Sequence, residues 1–201
     1  ETVSADEFNF HVVTTVQKKN PWIQEFQKRF KNVVIPLLKS ENDKWIYKYY
    51  LIELVKKLKI DIVLTSNSWE GYQYASLLKT KFNHIKVVDI LHAEESTGAS
   101  NTVDYAIPYL DKRICISNRL KEYMLQRYKT SEEYIKYSNR LNVIYNGIDL
   151  KQYNSDLLIS NNFKLKYGIS FDTKIISFIG RFSDEKDPLL FVNIAKNIIS
   201  T

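Results

Sequence analysis

A single cysteine, Cys115, stands in this chain of 201 residues. One thiol can form neither a disulfide framework nor a cysteine-based zinc site, so both are excluded as sources of stability. Five glycines and four prolines are too few for a collagen-like, glycine-rich linker or proline-rich recognition sequence. No apolar run approaches the roughly 20 residues a helix needs to span a bilayer. The opening stretch, Glu1-Thr-Val-Ser-Ala-Asp-Glu7, is acidic and polar, unlike a secretory signal, and lacks an initiator Met. These features predict a soluble, reduced, cytoplasmic protein and a sequence excised from something longer.

Apolar residues make up 44% of the chain and charged residues 26%, a balance that supports a packed core and excludes intrinsic disorder. Basic residues outnumber acidic ones 29 to 23, a net charge of +6. That excess favours anionic partners: phosphates, nucleic acid or an acidic membrane surface. The basic residues are spread, however. Lys56, Lys57 and Lys59 close one amphipathic segment, and Lys121 and Arg127 lie off the apolar face of another. No basic tract coincides with an aromatic platform, so nucleic acid is not the expected partner. Peripheral association with an anionic membrane stays open as a weaker expectation.

Along the chain, strand-like and helix-like patterns alternate. Phe8–Val16 is β-rich, a short helix runs from Pro21 to Arg29, and Asn32–Pro36 is a short strand stopped by proline. Asp43 is placed to cap a long helix with Tyr47, Leu51, Leu54, Val55 and Leu58 on one face. Buried strands are expected at Asp61–Thr65, Ile85–Leu91, Arg113–Ser117 and Leu141–Tyr145. The helices between them start at Ser68, Asn101 and, capped by Ser117, at the segment carrying Leu120, Tyr123 and Met124. The predicted fold class is therefore α/β, a Rossmann-like parallel sheet with helices on both faces. Function in such sheets sits at the carboxyl ends of the strands. That singles out Ser66–Gly71, His92–Gly98, the Ser117–Asn118 turn and the segment after Tyr145. A polar stretch, Lys151–Ser170, then leads to a further strand, Lys174–Gly180, and a helix from about Asp187.

The loop Gly180-Arg-Phe-Ser-Asp-Glu-Lys-Asp-Pro188 carries the clearest chemistry. Gly180 lets a ligand approach the backbone, while Arg181 and Lys186 flank a helix start marked by Asp187 and Pro188. Two cations beside a helix N-terminus suit a phosphate or diphosphate, with Arg gripping oxygens bidentately and Lys adding a mobile charge. An ordinary surface loop of the same composition is the competing interpretation. His92 ends a strand, where it can hydrogen-bond a hydroxyl or stabilise developing charge. A lone structural histidine is the alternative, and His11 and His84 are read that way. Asn67, Trp69 and Glu70 occupy the preceding exit loop, where an aromatic beside polar groups suits a sugar; Trp69 as a packing residue is the plainer reading. Glu94 and Glu95 can orient a hydroxyl or simply face solvent. Cys115 is expected as a small buried hydrophobe.

Phe178–Pro188 resembles the G-R-(four residues)-K element of family 4 (group 1) glycosyltransferases, which have the GT-B fold. Val143-Ile-Tyr-Asn-Gly-Ile-Asp149, followed by Tyr153, is similar to that family's N-G-V/I-D segment, and Arg113–Leu120 to its strand–Ser–helix element. The resemblance covers about Asp61 to the C-terminus. It implies an N-terminal Rossmann-like, acceptor-side domain at 1–145. It also implies a hinge at Asn146, Gly147 and Asp149, and the incomplete start of a C-terminal donor-binding domain over 146–201. It further implies that Gly180, Arg181 and Lys186 hold the diphosphate of a nucleotide-diphosphate-sugar donor. His92 would act at the reacting centre, and the acceptor side would include Asn67, Trp69, Glu70 and Glu94. The outcome would be retaining, with no metal and no cofactor beyond the donor substrate. The acceptor would be a polysaccharide or other carbohydrate, a lipid or a protein. The family's N-terminal Gly-rich loop and its distal E-(seven residues)-E element have no counterpart here, so the piece alone is expected to be inactive. A non-catalytic GT-B-like module that binds a sugar or a partner remains the alternative.

Overall fold

A computed structural model describes residues 8–15, 23–30, 32–34, 44–94, 104–130, 132–151, 153 and 161–199. Its contacts divide the chain into two compact units, Glu1–Asn146 and Gly147–Thr201. In the first unit, strands β1 (His11–Val13) and β2 (Asn32–Val34) pair in parallel, with helix α1 (Ile23–Arg29) between them in sequence. Helix α2 (Lys44–Leu58) leads to a four-stranded parallel sheet of β3 (Ile62–Ser66), β4 (Lys86–Leu91), β5 (Lys112–Cys115) and β6 (Leu141–Val143), adjacent in chain order. The expected cap Asp43 and the proline at 36 lie outside the described residues.

The connections explain where the core sits. Strands that follow one another in one direction, joined by right-handed crossovers, place every connecting helix on the same face. Helices α3 (Trp69–Gln73) and α4 (Ala75–Lys81) cross from β3 to β4, a 3-10 turn at Asp104–Tyr109 from β4 to β5, and α5 (Asn118–Lys129) with α6 (Glu132–Ile135) from β5 to β6. Register puts Val63, Val87, Leu91, Cys115 and Leu141 on one face, and the clusters of buried side chains gather there. Val55 of α2 joins Ala75 and Leu78 over Val87. Met124, Leu120 and Tyr128 of α5 cover Leu91, Cys115 and Leu141. Cys115 is thus a buried free thiol, and burial pushes it up to about 11. The opposite face is less covered, with Ile62 and Leu64 exposed and Val88, Ile90 and Ile114 half-buried.

A buried ion pair lies within the covered face. Asp89 and Arg113 are register partners on β4 and β5. The Arg113 Nη2 and Nε atoms each lie 2.8 Å from Asp89 Oδ2. Tyr72 donates to the same oxygen at 3.2 Å, and Arg113 Nη1 donates to the Tyr128 hydroxyl at 3.1 Å. Burial opposes charge on Arg113, yet the adjacent Asp89 carboxylate holds its pKa above the usual value.

Helix starts follow local chemistry. Ser68 accepts from the Gly71 amide at 3.1 Å, and Ser117 from the Leu120 amide at 3.1 Å, as their positions predicted. The helix expected to start at Ser68 breaks at Tyr74 into α3 and α4. In the second unit, α7 (Asn161–Lys166) and α8 (Pro188–Ile199) form, but Lys174–Gly180 is not a strand. An apolar run becomes a strand only with a ladder partner, and the described residues of this unit include none. The expected β–α unit is here an irregular segment and a helix, with Ile179 95% exposed.

Candidate functional site

Three strands of the first unit deliver polar side chains to one edge of the sheet. Ser66 is the last residue of β3, His92 follows the last residue of β4, and Ser117 lies two past the end of β5. Between the last two elements opens a cleft of about 310 Å³, lined by His92, Glu94, Ile116, Ser117, Arg119 and Leu120 among others. Ser66 Oγ lies 3.0 Å from His92 Nε2, so the imidazole is held from the β3 side. Across the mouth, Arg119 at the start of α5 forms an ion pair with Glu94, its Nη2 3.3 Å from Oε2. Chemically the cleft offers an imidazole, a carboxylate that accepts from hydroxyls, a guanidinium donor, and apolar Ile116 and Leu120 for the C–H face of a ring. Among the described residues no group of His, Cys, Asp and Glu could hold a metal ion.

The remaining acceptor-side candidates cluster after β3. Asn67 is exposed in the left-handed region at φ 49, which asparagine tolerates better than most residues. Trp69 is 43% exposed and meets Tyr105 edge-on, with ring centroids 6.5 Å apart, in keeping with a packing role at a helix start. Glu70 is not a solvated loop acid. It is 7% exposed, and its buried Oε2 has no hydrogen-bond partner among the described residues. The loop is anchored to β1's exit by Ser68 Oγ donating to Thr15 Oγ1 at 3.0 Å. Glu95 lies outside the described residues. His11 and His84 stand elsewhere, His84 edge-on to Phe82.

At the unit junction in sequence, Asn146, Gly147 and Asp149 are exposed. Asp149 organises a turn by accepting from the Lys151 amide on Oδ1 at 2.9 Å and from the Tyr153 amide on its carbonyl at 2.9 Å. In the second unit the structure brings Arg181 and Lys186 to one carboxylate. Arg181 Nη2 is 3.1 Å and Lys186 Nζ 3.0 Å from Glu185 oxygens, all three being exposed. Lys186, by hydrogen bond and by charge, holds the Glu185 carboxyl below its usual range. A β-carbon at Gly180 would lie 3.3 Å from the Phe178 ring. Asp187 caps α8, accepting from the Leu190 amide at 3.0 Å.

The sequence points to the loop that begins at Ser66 but gives Ser66 itself no role, and it gives Arg119 none. Ser66 ends β3 in register with Ile90, two residues before His92. Arg119 stands in the Arg113–Leu120 segment, but its ion pair with Glu94 joins residues 25 apart and leaves no local pattern.

Comparison with known proteins gives the chain's family and supports its fold. The family model for Glycosyltransferase Family 4 matches residues 3–152. In fold the chain is similar to a crystal structure of a glycosyltransferase from Rickettsia africae ESF-5, with a TM-score of 0.66 and 21% identity. That similarity covers 92% of this chain and 48% of the other, so the chain spans about half the length of that protein. No curated protein matches.

Proposed function

This chain belongs to glycosyltransferase family 4, and on that premise we propose that the protein moves a glycosyl group from a nucleotide-diphosphate sugar to a hydroxyl of a carbohydrate, lipid or protein acceptor. The observation that carries the proposal is the cleft at the carboxyl ends of β4 and β5, where His92, Glu94 and Arg119 meet over an apolar floor. In the reaction the acceptor oxygen bonds the sugar's anomeric carbon as the bond from that carbon to the diphosphate breaks. The acceptor's proton leaves toward the departing phosphate oxygen. His92 positions the reacting sugar by hydrogen bonding. Arg181 and Lys186 exchange Glu185 for the diphosphate and stabilise the charge that develops on it.

His92→Ala in the full-length protein tests the first unit's part. Acceptor-dependent release of nucleoside diphosphate should fall about a hundredfold, and an unchanged rate would count against it. Peripheral attachment to an anionic membrane is a second reading. It is supported by Trp45 and Tyr49, which are 62% and 54% exposed on α2, and by Lys48 over the Tyr49 ring at 4.9 Å. Co-sedimentation with phosphatidylserine vesicles that drops in Trp45→Ala supports it, and absence of co-sedimentation ends it.

A further inference from the structure

We propose that Ser66 is the positioning residue of His92, holding the imidazole through Nε2 so that Nδ1 is the nitrogen presented to the sugar substrate. The inference rests on the reading of His92 as a residue that contacts the reacting sugars. The backbone makes the pairing a property of the sheet rather than of two loops. Ser66 is in register with Ile90 on the adjacent strand, and His92 lies two residues further along that strand's direction, on the same face. Diagonal neighbours of this kind are within side-chain reach, and Ser66 Oγ lies 3.0 Å from His92 Nε2. The strand under His92 is itself held firmly. Asp89, three residues earlier, is fully buried in its pair with Arg113.

A histidine ring can rotate about its last torsion and exchange its proton between two nitrogens, so a site that uses one nitrogen must restrain both motions. The Ser66 hydroxyl restrains rotation by engaging Nε2, and in the proposed arrangement it donates there, which keeps the ring proton on Nδ1. Being neutral, it adds no charge to a cleft that already contains the Glu94–Arg119 pair. A carboxylate at the same place would compete with Glu94 for donors. Ser66 is exposed at the end of its strand, so replacing it removes the hydroxyl without opening a core cavity.

The decisive experiment follows the imidazole itself. With three histidines in the chain, the His92 ring nitrogens are identified in a ¹⁵N spectrum by loss of their signals in His92→Gln. Ser66→Ala should shift the pair of His92 ¹⁵N signals toward the tautomer mixture of free histidine, and Ser66→Thr, which keeps the hydroxyl, should restore the original pattern. In turnover of the full-length protein, Ser66→Ala should lower kcat by roughly two- to tenfold, the range of one neutral hydrogen bond, with KM little changed. An unaltered ¹⁵N pattern in Ser66→Ala overturns the proposal. If instead His92→Ala leaves turnover unchanged, the functional reading of His92 fails, and the ¹⁵N comparison still decides whether Ser66 positions the ring.

Discussion

Asp89 and Arg113 face each other in the covered side of the sheet, and their arrangement sets a clear expectation for substitution. Removing one member of a buried pair strands the other charge in a low-dielectric interior, at a cost of about 3–5 kcal/mol. Arg113→Met and Asp89→Leu should each lower stability by that order in urea titration. The double substitution should recover part of the loss, because no charge is left unpaired although the buried Tyr72 and Tyr128 hydroxyls lose these partners. Asp111 behaves differently, being only partly buried. Burial raises its carboxyl, but the hydrogen bond from Lys79 Nζ at 2.8 Å and that from the Val87 amide outweigh it and hold the group low. A carboxyl held lower in the folded chain adds stability above the ordinary aspartate value of ~3.9. That stability is lost as pH falls through the folded value. The urea midpoint of the wild type should therefore drop more between about pH 5 and pH 3 than that of Asp111→Asn.

At the scale of elements, the contact of α3 with β3 is the tightest at any described glycine. A β-carbon at Gly71 would lie 2.7 Å from Thr65 Cγ2 and 2.9 Å from Oγ1. Gly71→Ala should cost about 1–3 kcal/mol, as overpacking does, and Thr65→Ala in the same chain should return part of it. Helix α5 depends on its cap: Ser117→Ala should lose ~1 kcal/mol. Much of this level was legible beforehand. The apolar runs of β3 to β6 and the stripe Leu120, Tyr123 and Met124 carry their periodicity locally, with Tyr128 added to it by the fold, and Ser68 and Ser117 precede their helices in the expected place. Lys174–Gly180 was misread for a physical reason. Its residues satisfy a strand's composition, but a strand exists only with a neighbour, and neighbours are set by distant sequence. The break at Tyr74 was equally invisible, since nothing in Ser68–Lys81 interrupts helix-forming residues with proline.

For the whole molecule, family membership and the α/β fold agree with the expectation drawn from three short motifs, while the chemistry assigned to individual residues stands as a proposal. His92 could be placed from sequence because a parallel sheet exposes its strand ends in a predictable way, whereas Arg181 follows no strand here and only its motif marked it. The contacts that join them, Ser66 with His92 and Glu185 with both Arg181 and Lys186, emerge only from folding. The most direct test of the account is nucleotide-sugar turnover by the full-length protein, comparing wild type with Arg181→Ala and Lys186→Ala. Loss of a charge-assisted bond to the diphosphate predicts a fall in kcat/KM of roughly tenfold or more in each variant. Turnover that is undiminished in both would contradict the assignment of this loop, and with it the proposed reaction.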